Sequence, residues 1–516
     1  MPAIRAPPIP SWNRCCARAE RVGSAVRPGP ASPVERTAVA GDALSDHALL
    51  GLLFYPRGGS SHVVRYLARF LPPAGWDVRV AAGSLGAPGE PTHAGTFFAG
   101  IDTHGVDYTS ARAAEDPFGA DPPFHPSYED RPGAPDRAFG RVDDEVYERL
   151  VAAWQRELGA ARAGDADVLH LHHLTPINEA AARSFPDVPV VGHLHGTELL
   201  MLEAIDRGPP PGWTYAATWA SRMRGWARRC ERLLVLSPDA VCRVPDLLGV
   251  EPERVVWAPN GFEPEGFDRR PRRGPPRLEL WRRWLVEAPR GWRPGGEEGS
   301  VAYTLEDLTP FAGGDSPVLL YVGRFTAVKR LPLLVRAYAR ARERFERPAP
   351  LVLVGGHPGE WEGEHPLEAI EACGANDVFL AGWRSHRELP DALNAADVTV
   401  LASVQEQFGQ VLVEGMACGL PAIAVDAHGP ATILEPGETG WLVPPDDEDA
   451  LADALVEAVN YDGRRAAMGE AAYERSRARY AWPALAEGVA RVYEEVRRGR
   501  VAAGGAIGEL PEPERG

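Results

Sequence analysis

Residues 403–425 read SVQEQFGQVLVEGMACGLPAIAV, and they say more about the fold than any other stretch of this 516-residue chain. They follow the apolar, strand-like run DVTVLAS and end in a second such run, AIAV. Between the two runs stand Glu406, directly after the first strand, and Glu414, within an apolar helical segment. If the eight steps between these acids were all helical, they would span about 12 Å.

Strands and helices alternate on both sides of this stretch. One series covers residues 47–263 and begins with the buried run ALLGLLFY, and a second covers 316–480 and begins with SPVLLYVGRF. Alternating β and α segments predict an α/β protein with two Rossmann-like, doubly wound parallel sheets. Ligands of such folds bind outside the carboxyl ends of the strands, so we expect a site in a central cleft between two domains.

Four segments lack this periodicity. Residues 1–46 and 499–516 are expected to be disordered, and the former can equally be upstream sequence from a misassigned start. Residues 84–140, rich in Gly, Pro and Asp, are interpreted as an insertion in the first domain. Residues 264–315, rich in Arg, Pro, Gly and Trp, are interpreted as an extended linker. The last apolar-periodic segment, 482–498, predicts an amphipathic helix.

The composition argues against several functions. A net charge of −17 is opposite in sign to that of most nucleic-acid binders, so nucleic acid is not expected as a partner. No run of eighteen apolar residues occurs, so no membrane-spanning helix is expected. The six cysteines include no C-x-x-C pair, which favours neither a disulfide framework nor a zinc site and fits a reducing cytoplasm.

Two cations are placed to hold an anion. Arg324 follows the strand-like run VLLYVG and Lys329 begins the next helix, so both are expected at the carboxyl end of a strand. Together they can clamp a diphosphate and stabilise it as a leaving group. The alternative is two solvated surface cations. A cation at a helix start opposes the helix dipole, however, and an anionic ligand would relieve that cost.

Three further groups are candidates for ligand contacts. Gly58-Gly59 precede a helix, where free N–H groups can receive a phosphate, although the motif alone is unspecific. Phe408-Gly409 precede the helix of Glu414, and Gly409 permits close backbone approach. His195 ends a strand before a glycine, which places it at the rim of the cleft, where it can bond a sugar hydroxyl. An ordinary turn or a loop histidine is the simpler interpretation of each motif taken alone.

Two other patterns have a simpler alternative. The histidines at 170, 172, 173, 193 and 195 suggest zinc, but alternating strand residues point to both faces of a sheet and no acid or cysteine has ligand spacing. No metal site is therefore predicted. The basic segment 218–233 can lie weakly on an anionic lipid surface, for instance at the inner face of the plasma membrane. A solvated face over a buried Trp is the preferred interpretation.

Taken together, these runs resemble family 4 of the retaining glycosyltransferases, which have the GT-B fold. The resemblance covers roughly 48–498 apart from the insertion and the linker, and it is most specific over 397–425, where the two acids have the E-x7-E spacing. It implies transfer from a nucleotide-diphosphate sugar to the hydroxyl of an unknown acceptor, with retention and with no metal, cofactor or covalent nucleophile.

The resemblance also implies roles for individual residues. Glu406 would contact the donor sugar and Glu414 the ribose, and His195 would lie beside the donor sugar. Arg324 and Lys329 would hold the diphosphate. The remaining donor-binding set would be Gln407, Phe408 and Gly409 through their backbone, Val411, the Gly58-Gly59 loop near the phosphates and acceptor, and Trp383 with Arg384 beside the base. The helix at 482–498 would cross back onto the first domain.

Two departures from the family pattern touch the donor pocket. Arg330 stands where the family usually has Gly, and Thr432 replaces the usual acid. Three other functions stay open. A sugar-nucleotide 2-epimerase would have the same two-domain shape, and a non-catalytic protein could bind the same ligand. A pyridoxal-phosphate phosphorylase fits poorly, because no lysine stands in a suitable cofactor loop.

Overall fold

The computed structural model describes residues 46–130, 136–313 and 316–501; residues 1–45 and 502–516, nearly all of the two segments predicted to be disordered, lie outside the described residues. The strands are β1 (Asp46–Leu52), β2 (Trp76–Ser84), β3 (Asp102–Asp107), β4 (Val168–His172), β5 (Val190–Leu194), β6 (Arg232–Val235), β7 (Val255–Trp257), β8 (Leu319–Val322), β9 (Leu351–Val354), β10 (Val378–Gly382), β11 (Val398–Leu401), β12 (Ala422–Val425) and β13 (Gly440–Val443).

The helices cover both faces of these strands. They are α1 (Gly59–Phe70), α2 (Ala94–Phe97), α3 (Thr109–Ala113), α4 (Asp144–Ala160), α5 (Pro176–Ser184), α6 (Thr197–Arg207), α7 (Ala216–Arg229), α8 (Pro238–Leu248), α9 (Pro275–Arg282), α10 (Thr309–Ala312), α11 (Leu331–Arg342), α12 (Pro366–Cys373), α13 (Leu389–Asn394), α14 (Gln410–Ala417), α15 (Pro430–Ile433), α16 (Glu448–Asn460), α17 (Asp462–Tyr480) and α18 (Trp482–Val501).

Two parallel sheets organise the chain. Their strand orders are β3-β2-β1-β4-β5-β6-β7 and β10-β9-β8-β11-β12-β13. In each sheet the chain starts in the middle, moves to one edge and then returns to build the other half, which creates a switch point beside β1 or β8. Runs such as AIAV in β12 are buried along their whole length, because helices cover both faces of the sheet. The predicted α/β fold class with two Rossmann-like sheets is confirmed.

Residues 264–313 are not an extended linker. Helix α9 continues into a π-helical turn at Arg283–Glu287, and Trp281, Trp284 and Trp292 are buried in the same core as the second sheet. An indole buries a large apolar area, so three of them hold this segment firmly against the second unit. The predicted insertion 84–140 also differs from expectation, because it contains β3, the edge strand of the first sheet.

Helix α18 lies on the first unit. Its apolar face, which includes Trp482, Val489 and Tyr493, is buried in one core with residues of α1, β1 and β2. The chain therefore passes between the two units twice. The two passages are bonded to each other, because Phe262 N donates to Tyr480 O at 2.8 Å and Trp482 N donates to Phe262 O at 3.1 Å.

The basic helix α7 is neutralised by its neighbours. Arg222, Arg224 and Arg229 pair with carboxylates of other elements at 2.5–2.8 Å, and both tryptophans of the helix are buried. These contacts support the interpretation of α7 as a helix with a solvated polar face and buried tryptophans. Weak contact with lipid stays a prediction. Within the described ranges, no helix has the length and apolar character needed to cross a bilayer.

Candidate active site

An ion pair lies at the carboxyl edge of the second sheet. Glu406, in the loop after β11, forms a short contact through Oε2 with Nζ of Lys329, in the loop between β8 and α11. The side chains are 20% and 17% exposed, so each retains a path to solvent. An anionic group entering beside Lys329 would compete with Glu406 for the ammonium and would leave the carboxylate free to face a second part of the same ligand.

Arg324 supplies the second predicted cation. Its side chain is exposed, and within the described part of the chain no carboxylate lies within ion-pair distance of its guanidinium. Its main-chain oxygen accepts a hydrogen bond of 2.9 Å from Tyr321 Oη, which fixes the loop after β8. Burial raises the pKa of Tyr321, so this donor stays protonated. Arg324 and Lys329 therefore lie in one loop, which the Tyr321 hydrogen bond holds in place. Lys329 is paired with Glu406, and the guanidinium of Arg324 is available to an anion.

Glu414 is buried inside the second unit and faces the first. It is 2% exposed, and its Oε1 atom lies 2.9 Å from His386 Nε2 and 3.0 Å from Gln410 Nε2. Gln410 also donates to Gly261 O at 2.8 Å, where the chain first passes between the units. Burial lowers the pKa of His386, but the charge and hydrogen bond of Glu414 outweigh it and raise the pKa overall. The buried carboxylate therefore favours the charged form of His386.

Two histidines meet across the cleft. The ring of His62, on α1 of the first unit, lies 5.1 Å from the ring of His386 between centroids. Burial, followed by the charges of His386 and Arg65, lowers the pKa of His62 to about 3, so His62 is neutral near pH 7. Neither histidine was predicted as a site residue. The sequence carries no motif around them, and only the tertiary contact reveals them.

The loops after β5 and β11 also touch across the cleft. A Cβ atom added to Gly196 would lie 2.7 Å from Cγ of Gln407, and the φ angle of Gly196 is +95°. Glycine is therefore required there both for conformation and for space. His195 precedes it, and burial, followed by the charge of His173, keeps the pKa of His195 well below its usual value. The structure therefore brings the loop that carries His195 against Gln407 at the cleft.

The predicted glycine turns differ in character. Gly58 and Gly59 are exposed at the start of α1, and a Cβ atom on either would meet nothing within 4 Å, so the loop leaves room for a ligand. Gly409 has a φ angle of +103° and begins α14, a conformation that favours glycine. Phe408 is buried beside it, and Val411 packs against the core of the second unit. Phe408 can therefore act only through its backbone or by support, whereas the side chain of Val411 stays half-buried.

Arg384 is not placed to flank a nucleotide base, in contrast to the prediction. Its guanidinium lies over the ring of Trp284 at 4.5 Å and donates to Trp284 O and Ala288 O at 2.9 and 3.3 Å. Burial lowers the pKa of Arg384 to about 10. This side chain instead fastens the 264–313 segment to the second sheet. Its neighbour Trp383 is 42% exposed and stacks on His357, which leaves one indole face open.

The two departures from the family pattern have local explanations. Arg330 adopts a left-handed conformation with a φ angle of +55°, and its guanidinium pairs with Asp446 at 2.6 and 3.2 Å. The bidentate pair offsets the strain of a position that suits glycine. Thr432 Oγ1 donates to Gly429 O at 2.7 Å and so caps its own turn.

The histidines of β4 and β5 lie on one face of the sheet, so the argument used against a metal site is wrong. Residues 170 and 172 are two apart in β4, and the parallel register pairs His172 with His193. Side chains two apart in a strand, and those paired between neighbouring strands, point the same way. Because side chains in a strand alternate between the two faces, histidines at every second position lie on the same face. The alternation therefore brings these histidines together and does not separate them.

Comparison with known proteins identifies the class of protein that this fold and cleft define. Residues 57–265 match the profile of Glycosyltransferase Family 4, and residues 310–475 match that of Glycosyl transferases group 1. The solved structure of Anabaena Alr3699/HepE in complex with UDP and glucose is similar in fold, with a TM-score of 0.59 at 17% identity over 86% of this chain and 99% of that one. The protein is a glycosyltransferase with the GT-B fold.

Curated relatives define the family. The chain is similar to a D-inositol 3-phosphate glycosyltransferase 2 of Catenulispora acidiphila, 37% identical over 64% of this chain and 71% of that one. It is also similar to a D-inositol 3-phosphate glycosyltransferase of Kineococcus radiotolerans, 31% identical over 62% and 69%. Some other matches cover less than half of the relative, such as 44% for a Xylanimonas cellulosilytica protein. The chain belongs to glycosyltransferase family 4.

Proposed function

We propose that this enzyme moves a sugar, with retention and without a catalytic metal, from a nucleotide-diphosphate sugar to an acceptor hydroxyl. The Lys329–Glu406 ion pair, with the exposed Arg324 on the same loop as Lys329, is the observation that carries this proposal. A diphosphate held by Arg324 and Lys329 would release Glu406 from its partner. The freed carboxylate would then face the sugar just as positive charge develops on it.

The reaction can be written with its bonds and protons balanced. The bond between the anomeric carbon and the leaving phosphate oxygen breaks, and its electron pair departs with the diphosphate. The acceptor oxygen forms the new bond on the same face of the sugar, and its proton passes to the departing phosphate oxygen. Arg324 and Lys329 stabilise the charge on the leaving group, which is the main electrostatic requirement of the step.

The remaining site residues position the donor. Neutral His195, with the amide of Gln407, is suited to bonding sugar hydroxyls from both sides of the cleft. Glu414 is suited to accepting from the hydroxyls of a ribose once His386 turns aside. The open face of Trp383 is suited to stacking on a base, a contact predicted for its loop. The similarity to proteins named D-inositol 3-phosphate glycosyltransferases makes a phosphorylated cyclitol the first acceptor to test.

A donor-release assay tests the proposal. The protein is incubated with UDP-glucose, UDP-galactose, UDP-GlcNAc, ADP-glucose and GDP-mannose, each with and without D-inositol 3-phosphate and with and without EDTA. We expect nucleoside diphosphate release from one donor that survives EDTA and disappears in Glu406→Ala. Release that requires a divalent metal contradicts the proposed mechanism. A donor converted to its 2-epimer without an acceptor supports the epimerase alternative instead.

A further inference from the structure

Three histidines lie together on one face of the first sheet, away from the residues of the second unit that are proposed to bind the donor. His170 and His172 on β4 and His193 on β5 point to the face that α18 covers, and all three are buried. One ring nitrogen from each lies within 4.8 Å of the other two. Such a group is uncommon in a protein core, because a buried imidazole needs partners for both of its nitrogens.

The separations suit a tetrahedral ion. His170 Nε2 lies 3.2 Å from His193 Nδ1. Zinc binds imidazole nitrogen at about 2.0–2.1 Å in a tetrahedral arrangement, which spaces its ligand atoms about 3.3 Å apart. One edge of the tetrahedron therefore already has the required length. The third nitrogen needs to close in by about 1.5 Å at most, a movement within the reach of a ring rotation.

Two ring nitrogens of the histidine cluster have no hydrogen-bond partner among the described residues. His172 Nε2 is buried and has no hydrogen-bond partner in the described part of the chain, while His172 Nδ1 lies 2.9 Å from His195 Nε2. His170 Nδ1 bonds Tyr493 Oη, and His170 Nε2 is directed at His193 Nδ1. Metal-binding histidines have this arrangement, in which one nitrogen faces the ion and the other is held by an outer partner. His193 would bind through Nδ1, and its buried Nε2 has no outer partner among the described residues.

A carboxylate stands close enough to balance a cation. Glu198 is fully buried, lies 3.4 Å from His173 Nδ1 and accepts from His195 N at 3.0 Å. A buried dication without a nearby anion would be costly. Glu198 meets that need from the first turn of α6, one contact removed from the cluster.

We propose that His170, His172 and His193 bind a structural zinc ion. A donor set of imidazoles alone favours zinc or another borderline transition metal over Mg²⁺ or Ca²⁺, which prefer oxygen ligands. The ion would join β4, β5 and, through Tyr493, α18, behind the cleft-facing His195. It is not the donor's metal, so it is independent of the metal-free transfer proposed above.

Metal analysis of the full chain tests this site. Protein purified with zinc in the medium and then treated with chelating resin is analysed for zinc by mass spectrometry, and a cobalt-loaded sample is examined for the visible absorption of tetrahedral Co²⁺. We expect close to one ion per chain, and X-ray absorption showing a nitrogen shell with imidazole scattering. Folded wild-type protein with neither metal, or a metal shell that contains sulfur or only non-imidazole oxygen, overturns the proposal.

Variants locate the ion. His172→Gln and His193→Gln are expected to lose the zinc, whereas His365→Gln is expected to keep it. His365 is the matched control because it is also a fully buried histidine whose Nε2 has no hydrogen-bond partner in the described chain, but it lies in the second unit. Zinc retained in the β4 and β5 variants means that the ion binds elsewhere and refutes the site. If those variants fail to fold, the wild-type absorption spectrum decides the question. None of these readouts depends on sugar transfer.

Discussion

Replacing Lys329 with glutamine should slow sugar transfer strongly and leave the fold almost unchanged. The substitution removes the ammonium that pairs with Glu406 and keeps a polar side chain of similar length. Both members of the pair are about one-fifth exposed, so water can solvate the carboxylate that is left. We expect the free energy of unfolding to fall by about 1 kcal/mol or less.

The effect on catalysis follows from the charge of the leaving group. Two unit charges about 4 Å apart interact by about 4 kcal/mol at an effective dielectric constant of about 20. Each 1.36 kcal/mol of barrier corresponds to about a tenfold change in rate, so complete loss of this interaction would cost nearly 10³-fold. Arg324 retains part of the stabilisation, and Glu406 already competes for Lys329 in the free enzyme. We therefore expect a fall in kcat of about 10²-fold.

Initial rates of nucleoside diphosphate release, measured at saturating donor and acceptor, give this number directly. Arg330→Gln is the matched control, because it removes a positive charge from the adjacent residue. The guanidinium of Arg330 is committed to Asp446, so its loss should change kcat by less than about fivefold. A Lys329→Gln enzyme that works within fivefold of the wild type, or a larger loss in Arg330→Gln, would refute the assignment of the diphosphate to Lys329.

Three further changes probe other parts of the site. Glu414 raises the pKa of His386, so the charged form of His386 stabilises the fold below about pH 6.5. This contribution to the free energy of unfolding is lost as the pH rises through the pKa of the folded state. Urea unfolding at several pH values should show that loss in the wild type and not in His386→Gln. Arg384→Leu leaves the carbonyls of Trp284 and Ala288 unpaired and should lower the free energy of unfolding by about 1–3 kcal/mol, with the donor KM unchanged. Gly429→Ala brings a Cβ atom to 2.2 Å from a main-chain oxygen of the Glu406 loop, so it should reduce kcat by about 10²-fold, and an unchanged kcat would show that this loop tolerates displacement.

The strands of both sheets could be predicted because their residues form short, continuous apolar runs between turns. The exceptions are two edge strands, β3 and β13. The sequence of β3, DTHGVD, has no such run, and only one of its residues is fully buried. The run GWLV of β13 is too short to be told from a helical segment by its pattern. The segment 264–313 differs from the predicted linker for another reason. Its Arg, Pro and Gly content resembles a linker, while the tryptophans that anchor it are separated too irregularly to show a period.

A position at the edge of a sheet could be predicted where a residue lies in the loop after a strand. Glu406, Arg324, Lys329 and His195 lie in the loops after β11, β8 and β5, at the carboxyl ends of these strands, and their roles stay predictions. Contacts between distant segments could not be predicted. His62 and His386 are far apart in the chain, and Arg384 turns inward because a tryptophan lies behind it. The two-residue spacing of the histidines shows that those within one strand share a face of the sheet. That the histidines of β4 and β5 share the same face follows only from the register of the two strands.

The double passage between the two units limits how the cleft can open. The main-chain hydrogen bonds that join Phe262 to Tyr480 and Trp482 connect the two passages of the chain into a short two-stranded ribbon. A single flexible tether would allow rotation in any direction, whereas a ribbon bends easily across its flat side and resists twisting. The contact of Gly196 with Gln407 and that of His62 with His386 should therefore part and re-form in the same movement. Donor entry and acceptor entry would then be governed by one shared bending motion rather than by two independent gates.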